Sequence, residues 1–250
     1  MNKSNILFKY ILWIIIFISL IVLVFAINRE YKRNEASKRL YTISILENNE
    51  KEDNSIVINE DNTKYSTKTN LQKTWLDINP DYQGWLQIEN TNIDYPVVRA
   101  IDNYFYLDKD FLKEDSELGA IFMDYRNIGN FNDRHTAIYG HYTWTGKMFG
   151  DLHNYKEELF SNENRIIKFN SLFGEKEFEI FSVYVDSAED YKLKFDFEDD
   201  IEYLEYLKSL NELSIHSFES NLDPDKLLLS LATCSYEVSN GRLIVHAIEK

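Results

Sequence analysis

An apolar run near the N-terminus divides this chain into two physically different parts. Residues 11–27, with the sequence ILWIIIFISLIVLVFAI, contain no charged side chain. A helix needs about 17–25 apolar residues to cross a bilayer, so the run predicts a single transmembrane helix. The alternative is a signal peptide cleaved near Val24-Phe25-Ala26, although the apolar part of such peptides usually has only about 7–15 residues.

The charges that flank the run bear on its orientation. Two lysines precede it in residues 1–10, whereas five basic residues follow it in residues 29–39. The cytoplasmic flank of a transmembrane helix usually carries the excess of Lys and Arg. The charge count taken alone therefore predicts that the chain after the run lies in the cytoplasm.

Composition separates a stalk and a linker from the folded part. Residues 29–47 are charged and contain no Gly or Pro, which predicts a helical stalk. Residues 48–70 are rich in Asn, Glu, Asp, Lys, Ser and Thr, which predicts a mostly solvated linker. We therefore expect a tail and membrane anchor in residues 1–28, the stalk and linker in 29–70, and one folded domain in 71–250.

The net charge excludes one class of partner. The chain carries −15 at neutral pH, and residues 1–28 contribute two lysines and no acid to that balance. The remainder is strongly acidic, whereas binding to a phosphate backbone requires clustered Lys and Arg. We expect no nucleic-acid partner.

The folded part is predicted to be mainly β. Short apolar segments are separated by turn-forming residues, a pattern typical of a β-barrel or a β-sandwich. The predicted strands span residues 84–88, 91–98, 119–123, 136–139, 165–169, 176–185, 227–233 and 242–248.

Two helices are expected outside these strands. Three apolar residues between positions 71 and 78 recur at helical spacing before Asn79-Pro80, which ends the helix. Residues 198–211 interrupt the β pattern, and the acidic residues at 198–200 suit a helix N-terminus. The apolar stripe of this second helix consists of Ile201, Leu204, Leu207 and Leu210.

The single cysteine of the chain, Cys234, ends an apolar run and is separated from Arg242 by a turn that contains Asn240-Gly241. The last two predicted strands therefore place Cys234 and Arg242 at the same end of a neighbouring pair. His141 follows Gly140 at the end of another predicted strand. A thiolate nucleophile needs a cation or a base nearby, and His141 is suited to that role and to protonating a leaving amine. Arg242 stays protonated and is suited to holding a substrate carbonyl or an oxyanion.

The residues alone leave an alternative open, because a cysteine at a strand end is more often an inert core residue than a nucleophile. The other histidines lack the Gly-His context: His135 and His153 are placed in loops, His216 after a helix and His246 inside the last strand. The single cysteine and the lack of a His-x-x-x-His pair argue against a zinc site. No metal and no cofactor are expected.

Several short motifs occur in a fixed order along residues 71–250. They are GWL at 84–86, IDYPVV at 93–98, DNYFYL at 102–107, GAIFMDYRN at 119–127, IYGH at 138–141 followed by Met148-Phe149, and LATC at 231–234 followed by Arg242. In this order, the motifs resemble those of class B sortases, the membrane-anchored cysteine transpeptidases of Gram-positive bacteria. The resemblance implies an eight-stranded β-barrel with N-terminal helices and an inserted helix before the cysteine strand, which residues 198–211 match.

The resemblance also implies roles for individual residues. His141, Cys234 and Arg242 match the catalytic triad of the family. The positions that match substrate-binding residues are Asn103 and Leu107, which contact the sorting-signal peptide, Tyr191 in the wall of the peptide groove, and Thr233 before the cysteine. The chain departs from the family at Ala232, where most members have Ser, and at Tyr236, where some members have an acid.

The implied function is the cleavage of surface proteins after the Thr of a C-terminal sorting motif, of the Asn-Pro-x-Thr type, and their transfer to an amine. The amine belongs to a peptidoglycan cross-bridge or its lipid-linked precursor. This function implies a single-pass protein of the cell membrane, anchored through residues 11–27 with its catalytic domain outside, against the charge count. The alternatives are a non-catalytic anchored barrel that binds envelope peptides, and a cell-wall cysteine peptidase that mainly hydrolyses.

Overall fold

The computed structural model describes residues 3–53, 68–129, 131–187, 193–235 and 240–250. The chain forms two compact units, Met1–Ile43 and Ser44–Lys250. All the β-strands belong to the second unit.

A long helix, α1 (Lys3–Asp53), contains the apolar run. Its segment Tyr10–Leu40 is long and apolar enough to cross a membrane, a property that a signal sequence shares. Residues 29–47 are helical, as predicted. Helical structure also enters both ends of the predicted linker, because α1 continues to Asp53 and α2 begins at Lys68. The linker residues between these two helices lie outside the described part of the chain.

Eight strands close into a barrel in the order β1-β2-β3-β4-β7-β8-β6-β5, which confirms the predicted fold. The predicted strands all occur, with ends that differ by a few residues. The observed bounds are β1 Tyr82–Ile88, β2 Asp94–Val98, β3 Ile121–Met123, β4 His135–Tyr139, β5 Ile166–Ser171, β6 Gly174–Ser187, β7 Leu228–Ser235 and β8 Gly241–Glu249.

Two of the strand pairs are parallel, β2 with β3 and β4 with β7, and the other pairs are antiparallel. The β4–β7 register runs from His135 opposite Leu228 to Tyr139 opposite Ala232. Parallel strands have their carboxyl ends at the same edge of a sheet. The residues that follow β4 and those at the end of β7 therefore meet at one end of the barrel.

Three further helices accompany the barrel: α2 (Lys68–Ile78), the short α3 (Glu158–Glu163) and α4 (Asp200–Glu212), together with 3₁₀ turns at Phe105–Leu107 and Gly150–Lys156. Helix α2 ends where the sequence predicts. Its Trp75 packs on Trp85 of β1 with ring centroids 5.4 Å apart.

Helix α4 is the predicted insertion before the cysteine strand, and Asp199 caps it by accepting a hydrogen bond from the Glu202 amide at 2.8 Å. Its buried face packs on Phe181 of β6, Leu228 of β7 and Ile248 of β8. The predicted apolar stripe is wrong at Ile201, which is 69% exposed. The buried residues of α4 are Tyr203, Leu207 and Leu210.

A chain of polar side chains is buried between β4, β7, β8 and β6. The Ser230 hydroxyl lies 2.6 Å from His135 Nε2 and 2.5 Å from His246 Nδ1, and His246 Nε2 lies 3.2 Å from the Tyr184 hydroxyl.

The prediction of a loop at His135 is wrong, because β4 begins at this residue and its ring is fully buried. Burial lowers the pKa of His135 to about 4, so the imidazole is neutral at pH 7.

Candidate active site

His141 lies just beyond the end of β4, where packing requires the glycine that precedes it. The Gly140 amide donates to the carbonyl of Ala232 at 3.3 Å, which extends the β4–β7 pairing by one residue. A Cβ atom on Gly140 would lie 2.4 Å from Ile121 Cδ1 and 2.8 Å from Phe149 Cγ. Only glycine fits this contact without displacing its neighbours, which explains the Gly-His sequence.

The imidazole of His141 is held by a main-chain carbonyl. Its Nε2 lies 2.6 Å from the carbonyl oxygen of Leu107. A carbonyl oxygen only accepts hydrogen bonds, so Nε2 carries a hydrogen in both the neutral and the charged ring. In the neutral ring, Nδ1 is then the free nitrogen that can take up and return a proton.

The segment that supplies this carbonyl is itself well anchored. The Asp102 carboxylate accepts hydrogen bonds from the amides of Tyr104 at 2.8 Å and Phe105 at 2.9 Å, at the start of the 3₁₀ turn that ends at Leu107. The main chain at Gly119 packs against the Tyr106 and Leu107 carbonyl oxygens of this turn, and Gly119 has a φ of +60°. A positive φ and a close approach of the main chain both favour glycine at this position.

The strand register brings the other two predicted catalytic residues together. Cys234 near the end of β7 pairs directly with Arg242 near the start of β8. Nη1 of Arg242 donates to the carbonyl of Gly241 at 3.0 Å and to the Asn240 side chain at 3.4 Å, so the guanidinium is supported by the turn before β8.

His141 and Cys234 occupy equivalent places on their strands. The last registered pair of β4 and β7 is Tyr139 with Ala232, and His141 and Cys234 each follow that pair by two residues. The structure therefore brings His141, Cys234 and Arg242 to the same end of the barrel, although 93 positions separate His141 from Cys234 in the sequence.

Of the predicted substrate-binding residues, Leu107 lies at this same end. It contacts His141 through its carbonyl, and its side chain is exposed. Asn103 is held by two hydrogen bonds, one donated to Asp124 Oδ2 at 3.0 Å and one accepted from the Tyr125 amide at 3.0 Å.

The two remaining positions differ from this pattern. Thr233 is buried and pairs with Leu243, and because side chains alternate along a strand it faces away from the side of Ala232. Tyr191 lies outside the described residues, as does Tyr236, the position of one departure from the family pattern.

Sequence reasoning did not assign a role to Asp124. Its carboxylate accepts from Asn103 and, at 2.8 Å, from the hydroxyl of Tyr139. It thus joins the predicted peptide-binding segment to the strand that leads to His141. The only signal in the sequence was its place in the motif at 119–127, which says nothing about these partners.

Known proteins are similar to this chain in sequence and in fold. The family model of the sortase domain matches residues 86–250. Sortase B of Staphylococcus aureus is 32% identical over 173 residues, which cover 68% of this chain and 70% of that protein. Sortase B of Listeria monocytogenes is 32% identical over 170 residues, which cover 67% of this chain and 69% of that protein.

A solved structure agrees with these sequence matches. The X-ray structure of Clostridium perfringens sortase B has a TM-score of 0.69 and 37% sequence identity, and the match covers 72% of this chain and 99% of that chain. The chain belongs to the class B sortases. It is a cysteine transpeptidase that anchors surface proteins.

We predict that Gly119→Ala impairs this sortase by displacing the support of His141. The new Cβ atom would lie 2.7 Å from the Tyr106 carbonyl oxygen, 2.8 Å from that of Leu107 and 3.0 Å from His141 Cδ2. Because small displacements of catalytic groups are costly, kcat for a substrate peptide should fall about 10–100-fold. Steady-state cleavage kinetics on the full-length protein in detergent measure this effect.

Gly174→Ala is the matched control for backbone strain. Gly174 has a φ of +126°, yet a Cβ atom there would meet no atom within 4 Å, and the residue is the first of β6, where it pairs with Ser171 of β5. This variant should keep its kcat even if its melting temperature falls. Equal losses of kcat in the two variants would contradict a specific role for the contact beneath His141.

Proposed function

We propose that this sortase cleaves a C-terminal sorting motif of the Asn-Pro-x-Thr type after Thr, through a thioacyl intermediate on Cys234. One observation carries the proposal. The parallel β4–β7 pair and the antiparallel β7–β8 pair gather His141, Cys234 and Arg242 at one end of the barrel. A nucleophile, a proton carrier and a fixed cation are what acyl transfer from an amide requires.

The proposed first half-reaction forms the thioacyl-enzyme. The Cys234 thiolate attacks the carbonyl carbon of the motif's Thr, and the negative charge moves onto the carbonyl oxygen, where Arg242 stabilises it. His141 gives the proton on Nδ1 to the leaving amine as the peptide C–N bond breaks. The hydrogen bond from Nε2 to the Leu107 carbonyl keeps the ring in place in both protonation states.

The second half-reaction transfers the acyl group. An amine of a peptidoglycan cross-bridge or of its lipid-linked precursor attacks the thioester and loses a proton to Nδ1 of His141. The C–S bond breaks, the new amide is released, and the thiolate and the imidazolium are restored. Water attacking in place of the amine would give hydrolysis by the same steps.

We further propose that the peptide lies beside the segment that contains Asn103 and Leu107. Leu107 contacts His141 through its carbonyl and has an exposed side chain, and Asn103 precedes it by four residues. Tyr191 is assigned to the wall of the groove through the family resemblance. Thr233 is assigned a contribution through its main chain, since its side chain is buried.

The proposed location is the outer face of the cell membrane. Residues 1–28 form the tail and the single-pass anchor, with the span in residues 11–27, residues 29–70 form the stalk and linker, and residues 71–250 form the extracellular catalytic domain. The apolar segment of α1 supports the anchor in this arrangement. Surface proteins with sorting signals and cell-wall amines are found there, which is why we place the domain outside despite the basic residues that follow the span.

We predict that Cys234→Ala abolishes cleavage of an Asn-Pro-x-Thr peptide by the full-length protein and that His141→Ala lowers kcat by about 10²–10⁴-fold. The assay follows the peptide by chromatography with and without an amine acceptor, and the ratio of amide to acid product gives the partition between transfer and hydrolysis. Cleavage above background by the Cys234 variant would refute the covalent route.

His216→Gln is the matched histidine control. Its ring nitrogen Nε2 lies 2.9 Å from the Tyr155 carbonyl and is half-buried, far along the chain from the His141 contacts. His135 and His246 are unsuitable controls because both are fully buried in the barrel's polar chain. An inactive His216 variant beside an active His141 variant would show that the proton carrier is misassigned.

The topology makes a separate prediction. Protease added to intact protoplasts should digest residues 71–250, because an extracellular domain is accessible without breaking the membrane. The same treatment after detergent permeabilisation is the control for intrinsic protease resistance. Protection in intact protoplasts and digestion after permeabilisation would place the domain in the cytoplasm, as the charge count indicates.

A further inference from the structure

We propose that Asp124 is a positioning residue of this sortase, which fixes the segment containing Asn103 and Leu107 against the strand that leads to His141. The inference rests on the proposed role of His141 as the proton carrier. The Asp124 cluster is defined here as Asp124 together with Asn103, Arg126 and Tyr139.

Asp124 is fully buried and both of its carboxylate oxygens are used. Oδ1 accepts from the amide and from Nε of Arg126, each at 2.9 Å. Oδ2 accepts from Nη2 of Arg126 at 2.8 Å, from the Tyr139 hydroxyl at 2.8 Å and from Nδ2 of Asn103 at 3.0 Å. Five donors on one buried carboxylate define its position and that of each partner.

The carboxylate is ionised at neutral pH. Burial alone would raise the pKa of Asp124, but the hydrogen bonds from Arg126, Tyr139 and Asn103 outweigh burial and the pKa is lowered. A charged acceptor makes stronger hydrogen bonds than a neutral one. The cluster therefore keeps these charged hydrogen bonds at neutral pH.

The contacts of Asp124 with Asn103 and Tyr139, together with the contact between Leu107 and His141, form a closed ring of interactions. Tyr139 is two residues before His141 on the same segment, and Asn103 is four residues before Leu107. Asp124 joins Tyr139 to Asn103, and the Leu107 carbonyl joins the other end of that segment to His141. If Asp124 releases either partner, one of the contacts that hold the Leu107 carbonyl in place relative to the His141 ring is lost.

Arg126 extends the cluster to the chain between β6 and α4. Its guanidinium lies 4.2 Å from the ring centroid of Phe195, within the range of a cation–π contact. Phe195 also stacks on His135 at 5.1 Å. Asp124 orients the guanidinium through two of its nitrogens, so the same carboxylate also holds this crossover segment against the barrel.

Asp124→Asn is an informative test because an amide has one acceptor oxygen and one donor nitrogen. In one orientation its NH₂ group faces the Arg126 amide and Nε, and in the other it faces Asn103 and Tyr139. Neither orientation satisfies both sides. The shape of the side chain is retained, so the variant removes the interactions with little change in volume.

Asp133→Asn is the matched control. Asp133 lies in the same connection between β3 and β4 and accepts two main-chain hydrogen bonds, from Ile128 at 2.9 Å and from Gly129 at 2.7 Å. It is not part of the Asp124 cluster. Tyr139→Phe is the milder test, because it removes one donor to Asp124 and keeps the ring.

The experiment uses the full-length protein in detergent and two readouts. The first is the kcat and KM for an Asn-Pro-x-Thr peptide. The second needs no substrate: the rate of alkylation of Cys234, the single thiol, by iodoacetamide, followed by intact-mass spectrometry. A correctly placed imidazolium raises the thiolate fraction at neutral pH, whereas at about pH 10 the thiol is ionised without help.

Asp124→Asn should lower kcat about 10–100-fold and slow alkylation about tenfold at neutral pH, with an unchanged alkylation rate at about pH 10. Asp133→Asn should leave both readouts as in the wild type. If Asp124→Asn fails to fold, Tyr139→Phe decides, and it should shift both readouts in the same direction by a smaller factor.

Wild-type kcat and wild-type alkylation at neutral pH in a folded Asp124→Asn variant, or in Tyr139→Phe if the former does not fold, would overturn the proposal. Equal losses in the Asp124 and Asp133 variants would overturn it too. A wild-type protein that does not cleave the peptide would refute the proposed motif instead, and the alkylation rates would still decide the role of Asp124.

Discussion

The parallel pairing of β4 with β7 is the constraint on which the catalytic end of this barrel depends. Parallel neighbours cannot be joined by a tight turn, so the chain needs a long crossover between them. Here the crossover contains β5, β6 and α4, and the first two of these strands complete the barrel. This connection therefore completes the closed barrel. It also places His141, just after β4, at the same end as Cys234, near the end of β7.

Strand register alone does not orient an imidazole, and the structure supplies that orientation through main-chain atoms and one buried carboxylate. Because the Leu107 carbonyl binds Nε2 of His141, Nδ1 is the nitrogen left for proton transfer. Gly119 lacks the Cβ atom that would clash with the Leu107 carbonyl and with the His141 ring. Asp124 then fixes the turn relative to β4. Ala232 of β7 packs in a buried cluster with Tyr184 and Ile244, and Tyr139 packs against this cluster.

Local patterns predicted the strands and the pairing of Cys234 with Arg242, whereas the eight-stranded barrel and the grouping of these residues with His141 came from the family resemblance. Alternating apolar segments define strands, and Asn240-Gly241 defines the turn that pairs Cys234 with Arg242. The burial of His135 and the contacts of Asp124 did not follow, because both depend on partners far away in the sequence. The exposure of Ile201 has a similar cause: the strands beneath α4 select Tyr203 for burial, whereas periodicity alone cannot choose between neighbouring stripes.

Cys234 is proposed to carry the acyl group during turnover, and intact-mass spectrometry of the reacting protein detects that group. The full-length protein is mixed with an Asn-Pro-x-Thr peptide without an amine acceptor, and the reaction is quenched in acid. The mass of the intact protein is measured, and the protein is then digested to locate any added mass. We expect the mass of the protein to increase by the mass of the fragment that ends at Thr, less one water, and the added mass to lie on the peptide that contains Cys234. The His141→Ala variant should show no such increase on the same time scale. Peptide cleavage without any adduct, or an adduct on another residue, would contradict the account.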